Sequence, residues 1–287
     1  AHSADFCYAC NMKKRIARIL IEGVIEKENE NYNQKWLLET IEELTDDKKT
    51  AGIILYINSP GGGVYQSDEV YLALKKYKEK AKKPVWAYFA SLAASGGYYI
   101  GCAADKIIAN RNTLTGSIGV IAGRFVDLTA LMAKHGIKSE TIHSGRNKTM
   151  GSVAEPVTEE QRAIMQSVSD ECYEQFVQIV AESRKMELSA VKELADGRIY
   201  TAQQAKANGL VDEIASFDDT VDMFKEQVLG DKEAKADVHK YELKKKRSLR
   251  KMLTGASFAV DGTAALTQLL LKKQIPFPAY YYDNGAL

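Results

Sequence analysis

Apolar residues along this chain fall into short continuous runs that alternate with longer stretches of helical spacing. Arg15-Ile16-Ala17-Arg18-Ile19-Leu20-Ile21-Glu22 alternates and then runs apolar, which predicts a first strand over 15–22; a helix follows over 33–45. Ala51-Gly52-Ile53-Ile54-Leu55-Tyr56-Ile57 is apolar without interruption. That is the pattern of a strand buried on both faces of a parallel sheet, and it ends at a glycine-rich loop. Residues 65–80, charged on one side, predict a helix, Pro84-Val85-Trp86-Ala87-Tyr88-Phe89-Ala90 a strand, and the small residues of 94–104 a closely packing helix. Lys106-Ile107-Ile108-Ala109 and Ser117-Ile118-Gly119-Val120-Ile121 predict further strands, with a helix over 126–135 and a strand over 137–143. Strand and helix in alternation predict an α/β layer architecture with right-handed crossovers.

From 157 to 185 the spacing is that of a long amphipathic helix, followed by a shorter one over 188–195. Asp196-Gly197-Arg198-Ile199-Tyr200-Thr201-Ala202 then predicts a turn and a helix capped by Thr201, and Gly209-Leu210-Val211-Asp212-Glu213 a return to the sheet. The last part changes character: a basic run, Lys244-Lys245-Lys246-Arg247-Ser248-Leu249-Arg250-Lys251, leads into an apolar tail ending Pro276-Phe277-Pro278-Ala279-Tyr280-Tyr281-Tyr282. The organisation expected is a leader over 1–14, one main domain over 15–243 and a basic and apolar tail over 244–287.

The chain has 287 residues with 45% hydrophobic content, enough to bury a core of ordinary density. Lysine plus arginine number 39 against 38 acidic residues, a net charge of +1 that argues against a general nucleic-acid binder. The basic run reads as a solvated face or as a contact with an anionic membrane surface. Of the four cysteines, only Cys7 and Cys10 are close in sequence, and with no second pair a zinc site lacks ligands. The chain starts at Ala1, so a signal or anchor removed by processing is compatible with it.

Three segments carry chemistry. Ala93-Ala94-Ser95-Gly96-Gly97 lies where a strand gives way to a helix, and its small residues leave room for a peptide backbone beside Ser95; the same stretch also reads as an ordinary capped helix start. Ala93 occupies the first glycine position of a G-x-S-x-G elbow, so it is not that motif. Asn58-Ser59-Pro60-Gly61-Gly62-Gly63 follows a buried strand and offers main-chain N–H groups to a developing oxyanion, or makes a plain turn. Ser144-Gly145-Arg146-Asn147-Lys148-Thr149 supplies an amine. A lysine deprotonates a serine hydroxyl only if burial lowers its pKa toward neutrality.

In this order the three segments resemble the signal peptide peptidase A family of serine proteases, over residues 15–228. The resemblance implies a ClpP/crotonase-like fold of repeated β-β-α units, with a mostly parallel sheet flanked by helices. It implies Ser95 as nucleophile, Lys148 as general base, the N–H groups of Gly62 and Gly96 as oxyanion hole, and Ser117, in Leu114-Thr115-Gly116-Ser117-Ile118-Gly119, as the residue that orients the lysine. Tyr88 and Phe89, just before the nucleophile turn, are expected to narrow the substrate pockets. No metal or cofactor is called for. The substrates implied are apolar peptides such as signal-peptide remnants, bound as an added strand. The family also implies a ring-like homo-oligomer with the dyad shared between neighbours, and work at a bacterial cell membrane on its extracytoplasmic side, with the anchor absent from this chain. The apolar tail over 275–287 is expected to reach such a groove.

Two other classes stay open on the sequence. A crotonase-type acyl-CoA enzyme shares the fold and glycine loop but works mainly with carboxylates, and a catalytically inactive membrane-associated scaffold needs none of these groups. A Ser-His-Asp hydrolase would have to use His143, since His2, His135 and His239 sit in poor contexts.

Overall fold

The structure, a computed structural model, describes residues 14–243 and 279–281. A strand covered on both faces must be apolar at odd and even positions alike, and the central strands are. β1 (Arg15–Glu22) leads through a loop and α1 (Gln34–Asp46) to β2 (Thr50–Ser59). Next come the three-glycine strand β3 (Gly61–Gly63), α2 (Val64–Ala81) and β4 (Val85–Ala94). Odd positions Ala17, Ile19, Ile21, Ile53, Leu55, Ile57, Val85, Ala87 and Phe89 enter the larger core. Even positions Ile16, Ile54, Trp86 and Tyr88 enter a second core on the opposite face.

After β4 come α3 (Gly96–Gly101), β5 (Lys106–Ala109), β6 (Leu114–Gly116) and α4 (Thr129–Lys134). The long α5 (Glu159–Arg184) starts with a Thr158/Gln161 capping box, and α6 (Leu188–Leu194), β7 (Ile199–Thr201) and α7 (Ala202–Ala207) follow. The expected cap at Thr201 is present, its hydroxyl accepting the Gln204 N–H. β8 (Glu213–Ile214), α8 (Phe217–Phe224), β9 (Asp237–Tyr241) and β10 (Ala279–Tyr281) complete the described chain.

The main sheet runs β7-β6-β4-β2-β1-β9, with β5 beside β4 and β8 beside β5. Every pairing in it is parallel except β6 with β7, so the expected architecture, a mostly parallel sheet flanked by helices, is the one found. α8 closes the second core, where Phe224 packs edge-on to Trp86.

Two expected strands differ. The strand expected over 117–121 is β6, placed earlier at Leu114–Gly116, because Gly116 and Ser117 both take positive φ (91° and 49°) and end the extended run. Residues 137–143 form no strand: Ile137 and Ile142 are exposed, and no strand among the described residues pairs with them to satisfy their backbone. Cys7, Cys10 and the basic run over 244–251 lie outside the described residues. Burial pushes the Cys102 thiol up to about 12, so it packs as a small apolar group. No helix among the described residues is long and apolar enough to cross a membrane.

One ion pair locks the turn between α7 and β8 to the long helix. Arg184, 8% exposed, donates to both oxygens of Asp212 and through Nε to the Gly209 carbonyl, while Asp212 also accepts the Ile107 N–H at 2.6 Å. Burial alone would raise the Asp212 carboxyl, but the hydrogen bonds from Arg184 and Ile107 outweigh it and hold it below the ordinary carboxylate range. A folded-state pKa below the unfolded one stabilises above the unfolded value, about 3.9 for Asp, and that stability is lost as pH falls through the folded value. Asp212→Ala strands a buried guanidinium and is expected to cost about 3 kcal/mol in urea unfolding at pH 7. In Asp212→Asn, unfolding titrations from pH 7 to 3 are expected to lose the Asp212 share of the acid sensitivity.

Candidate active site

The site lies at the carboxyl ends of β2, β4 and β6, where a register shift brings two turns together. Ile57 pairs with Phe89, but Ser59 pairs with Ala93, so β4 holds two residues more than β2 over the same span. The bulge takes up residues 90–92 and re-aims the end of β4. Ser95 follows at once, with φ 52° and ψ −118°. That backbone is strained for any residue with a β-carbon, at a cost on the order of 1–3 kcal/mol, and such outliers cluster at functional sites. It is held by its neighbours: the Ser95 N–H donates to the Gly116 carbonyl at 2.8 Å, and the Ser95 carbonyl accepts the Tyr99 N–H at 2.9 Å. The Ser95 Oγ is buried and has no hydrogen-bond partner among the described residues. An orphaned buried hydroxyl on a strained turn makes Ser95 the candidate nucleophile of this site.

The glycine loop faces this turn. The Ile25 N–H donates to the Gly61 carbonyl at 2.8 Å, and the Gly63 N–H donates to the Ile25 carbonyl at 2.7 Å. Peptide groups alternate along a strand, so the N–H and C=O of Gly62 turn to the opposite edge. There β10 lies antiparallel, with Tyr280 opposite Gly62. Only glycine fits: a β-carbon at Gly62 would stand 1.9 Å from the Ile25 carbonyl oxygen, and Gly61 takes φ 101°.

Ser117 arrives from the neighbouring strand. Ala94 pairs with Gly116, so Ser95 and Ser117 leave adjacent strands side by side, each at positive φ. The Ser117 N–H donates to the Arg198 carbonyl at 2.8 Å. The turn that carries Arg198 is held by its pairing with Asp196, whose carboxyl is lowered to about 2 chiefly by hydrogen bonds from the Arg198 side chain and backbone.

Lys148 is elsewhere. It sits in a turn closed by its own N–H to the Gly145 carbonyl at 3.0 Å, and its side chain is exposed. The segment around it is held by Arg146 and Asn147, which bond Glu160 at the start of α5, by Thr149, whose hydroxyl donates to Glu155, and by the Leu128 N–H, which donates to the Val153 carbonyl. Val126, Leu131, Ile137, Ile142 and Val153 are all exposed along this arm, Ile142 at 96%. Within one chain, Ser95 and Lys148 are therefore not hydrogen-bonded. His143, the rival base, is exposed on the same arm, its Nδ1 3.1 Å from the Gly145 carbonyl.

Tyr88 and Phe89 do not line an open groove in this chain. Tyr88, 3% exposed, stacks with Tyr56 and Phe217 in the second core, and Phe89, fully buried, meets Tyr98 in the main core. Residues of adjacent parity on one strand must face opposite ways, and both faces of β4 are covered. The sequence reading passed over the individual parts played by Ile25 and Ser59; their contacts are tertiary, and no spacing signals them. Among the described residues no group of His, Cys, Asp or Glu is arranged to hold a metal ion.

Comparison with known proteins gives one family. The model of peptidase family S49 matches residues 77–229. The chain is 40% identical over 221 residues to a putative signal peptide peptidase SppA of Enterococcus faecium, covering 75% of this chain and 64% of that one. It is 41% identical over 212 residues to a putative protease of Synechocystis, covering 74% of each chain. Against a putative protease of Methanocaldococcus jannaschii the identity is 37% over 187 residues, covering 65% of this chain and 59% of the other. The match thus spans less than two thirds of the Enterococcus and Methanocaldococcus proteins. Among solved structures, a ClpP1 mutant from Listeria monocytogenes superposes with a TM-score of 0.48 at 19% identity, covering 70% of this chain and 92% of that one.

The strain at Ser95 has a measurable sign. Glycine occupies φ 52° without penalty, so Ser95→Gly is expected to be more stable than Ser95→Ala by about 1 kcal/mol in thermal or urea unfolding. Equal stabilities would show that the turn is unstrained. Gly62→Ala, by contrast, forces the Ile25 backbone to move and is expected to destabilise the fold by about 2 kcal/mol or more.

Proposed function

The chain belongs to peptidase family S49, a serine-protease family, and on that premise we propose that it hydrolyses extended apolar peptides with Ser95 as nucleophile and Lys148 as base. The observation that carries this reading is the Ser95 hydroxyl: buried, on a strained turn, and without a hydrogen-bond partner among the described residues. In the proposed cycle the Lys148 amine takes the proton as the Ser95 Oγ attacks the scissile carbonyl. The N–H groups of Gly62 and Gly96 receive the oxyanion, and the lysine returns the proton to the leaving amine. Water then releases the acyl group by the same path. Ser117, beside Ser95 at the end of β6, orients the lysine.

Lys148 is exposed in one chain, and on this reading a second copy of the chain covers it. The exposed apolar residues on its arm suit such a contact, which places a serine of one copy against a lysine of the next. This is the shared dyad of a homo-oligomeric ring. The substrate class follows from the edge of β3. A strand already adds to it in cis, β10, and an extended peptide that binds there would make the same main-chain pairing. Relatives named signal peptide peptidase make remnant signal peptides at a bacterial membrane the first substrates to try.

Two outcomes test the reading. Ser95→Ala and Lys148→Ala proteins, each inactive alone, are expected to regain part of the activity when co-assembled, because some interfaces then join an intact Ser95 to an intact Lys148. Mixed assemblies that stay inactive overturn the shared dyad. Wild-type activity is expected to rise with pH as the lysine loses its proton, and full activity in Lys148→Ala overturns the base assignment. Removing residues 275–287 takes away the strand that occupies the β3 edge and is expected to lower KM for a peptide substrate several-fold with kcat held; an unchanged KM separates that edge from substrate binding.

A further inference from the structure

We propose that Ser59 is a positioning residue of the oxyanion hole, a role that rests on the reading of Ser95 and Gly62 just given. Ser59 is the last residue of β2 and is fully buried. Its Oγ donates to the Gly23 carbonyl at 2.6 Å and accepts the Gly61 N–H at 3.0 Å, so its donor and one acceptor position are both used. These two bonds close a ring of contacts. Gly23 is the turn out of β1, two residues on is Ile25, and Ile25 holds Gly61 and Gly63 through its own N–H and carbonyl. The serine hydroxyl thus ties both ends of the bracket in which Gly62 is gripped.

The same residue touches the other half of the site. Beside the bulge Ser59 pairs with Ala93, two residues before the nucleophile. A β-carbon at Gly97 would lie 3.1 Å from the Ser59 carbonyl oxygen and 3.4 Å from its Cβ, so the turn bearing Ser95 and Gly96 rests directly on this residue. The proposed oxyanion donors, Gly62 and Gly96, come from two segments that are distant in sequence. Ser59 is bonded to one of these segments and packed against the other. An oxyanion hole works only if its two N–H groups converge on one point, and a misplacement on the order of 1 Å costs about a hundredfold in rate. Loss of the hydroxyl leaves the buried Gly61 N–H and the partly buried Gly23 carbonyl unmatched, and the buried N–H recovers a partner only if the loop shifts.

Ser59→Ala is therefore expected to lower kcat on a peptide ester or amide ten- to hundredfold while KM changes less than twofold. The affinity of a peptide boronic acid, whose tetrahedral adduct on Ser95 places an oxygen between the two amides, is expected to fall by the same factor as kcat/KM. Binding of an uncleaved apolar peptide is expected to hold. Ser59→Thr keeps the hydroxyl and is expected to recover much of the rate; Ser59→Cys, close in size, is the second variant if Ser59→Ala does not fold. Hydrogen exchange at the Gly61 amide is expected to quicken in Ser59→Ala while exchange in the strands of the main core holds. A folded Ser59→Ala enzyme with wild-type kcat, or with boronate and peptide affinity lost together, overturns the positioning role alone. Wild-type protein that neither cleaves peptides nor takes a fluorophosphonate at Ser95 overturns the reading of the site and this role with it.

Discussion

The rest of the site depends on the approach of two backbones. Gly62 lies so close to Ile25 that a β-carbon would stand 1.9 Å from the Ile25 carbonyl oxygen, and the N–H and C=O of Ile25 hold the glycines on either side. That contact fixes which way Gly62 faces. With one edge of β3 engaged by Ile25, its other edge is left to pair with an incoming strand, and in this chain β10 does so. A loop of three glycines left to itself would sample many conformations, because glycine loses more freedom on folding than any other residue. Buried hydrogen bonds on one edge reduce these to one.

The second constraint is the bulge in β4. Without its two additional residues the strand would run on in register with β2, and the residue after Ala94 would enter a regular turn. With them, Ser95 takes a backbone that few residues with a side chain adopt, and its hydroxyl finds no partner among the described residues. Folding tolerates such a turn only because its surroundings over-determine it. Here the Gly116 carbonyl, the Tyr99 N–H and the close packing of Gly97 on Ser59 supply that.

What the sequence made legible is what depends on pattern. The run over 51–57 reads as a buried strand because both of its faces are covered, and the parity of its residues sorts them between two cores. Ser117-Ile118-Gly119-Val120-Ile121 has strand composition, yet the backbone at Gly116 and Ser117 ends β6 first, and composition carries no record of φ. Ile137 and Ile142 are apolar but exposed; a pattern says that a residue wants cover without saying what covers it. Tyr88 and Phe89 stand just before the Ser95 turn in sequence, and their burial belongs to Phe217 and Tyr98, far along the chain or across a turn. Ser59 was in view within its loop, but its two hydrogen bonds reach Gly23 and Gly61, and only one of those partners is near in sequence.

The exposure of Lys148 is the place where fold and proposed chemistry meet. A lysine that acts as a base near neutrality needs its charged form disfavoured, and desolvation is the main way to do so. In one chain Lys148 lies exposed on an arm of exposed apolar residues. If a second copy covers the arm, one event buries the apolar residues, desolvates the amine and brings it to the serine of the neighbour. On the proposed reading the nucleophile is prepared by the fold and the base by assembly, so a lone chain folds with a serine already strained and waiting but with no competent base. A protease built in this way stays silent until it has assembled, and its activity then depends on protein concentration rather than on folding alone.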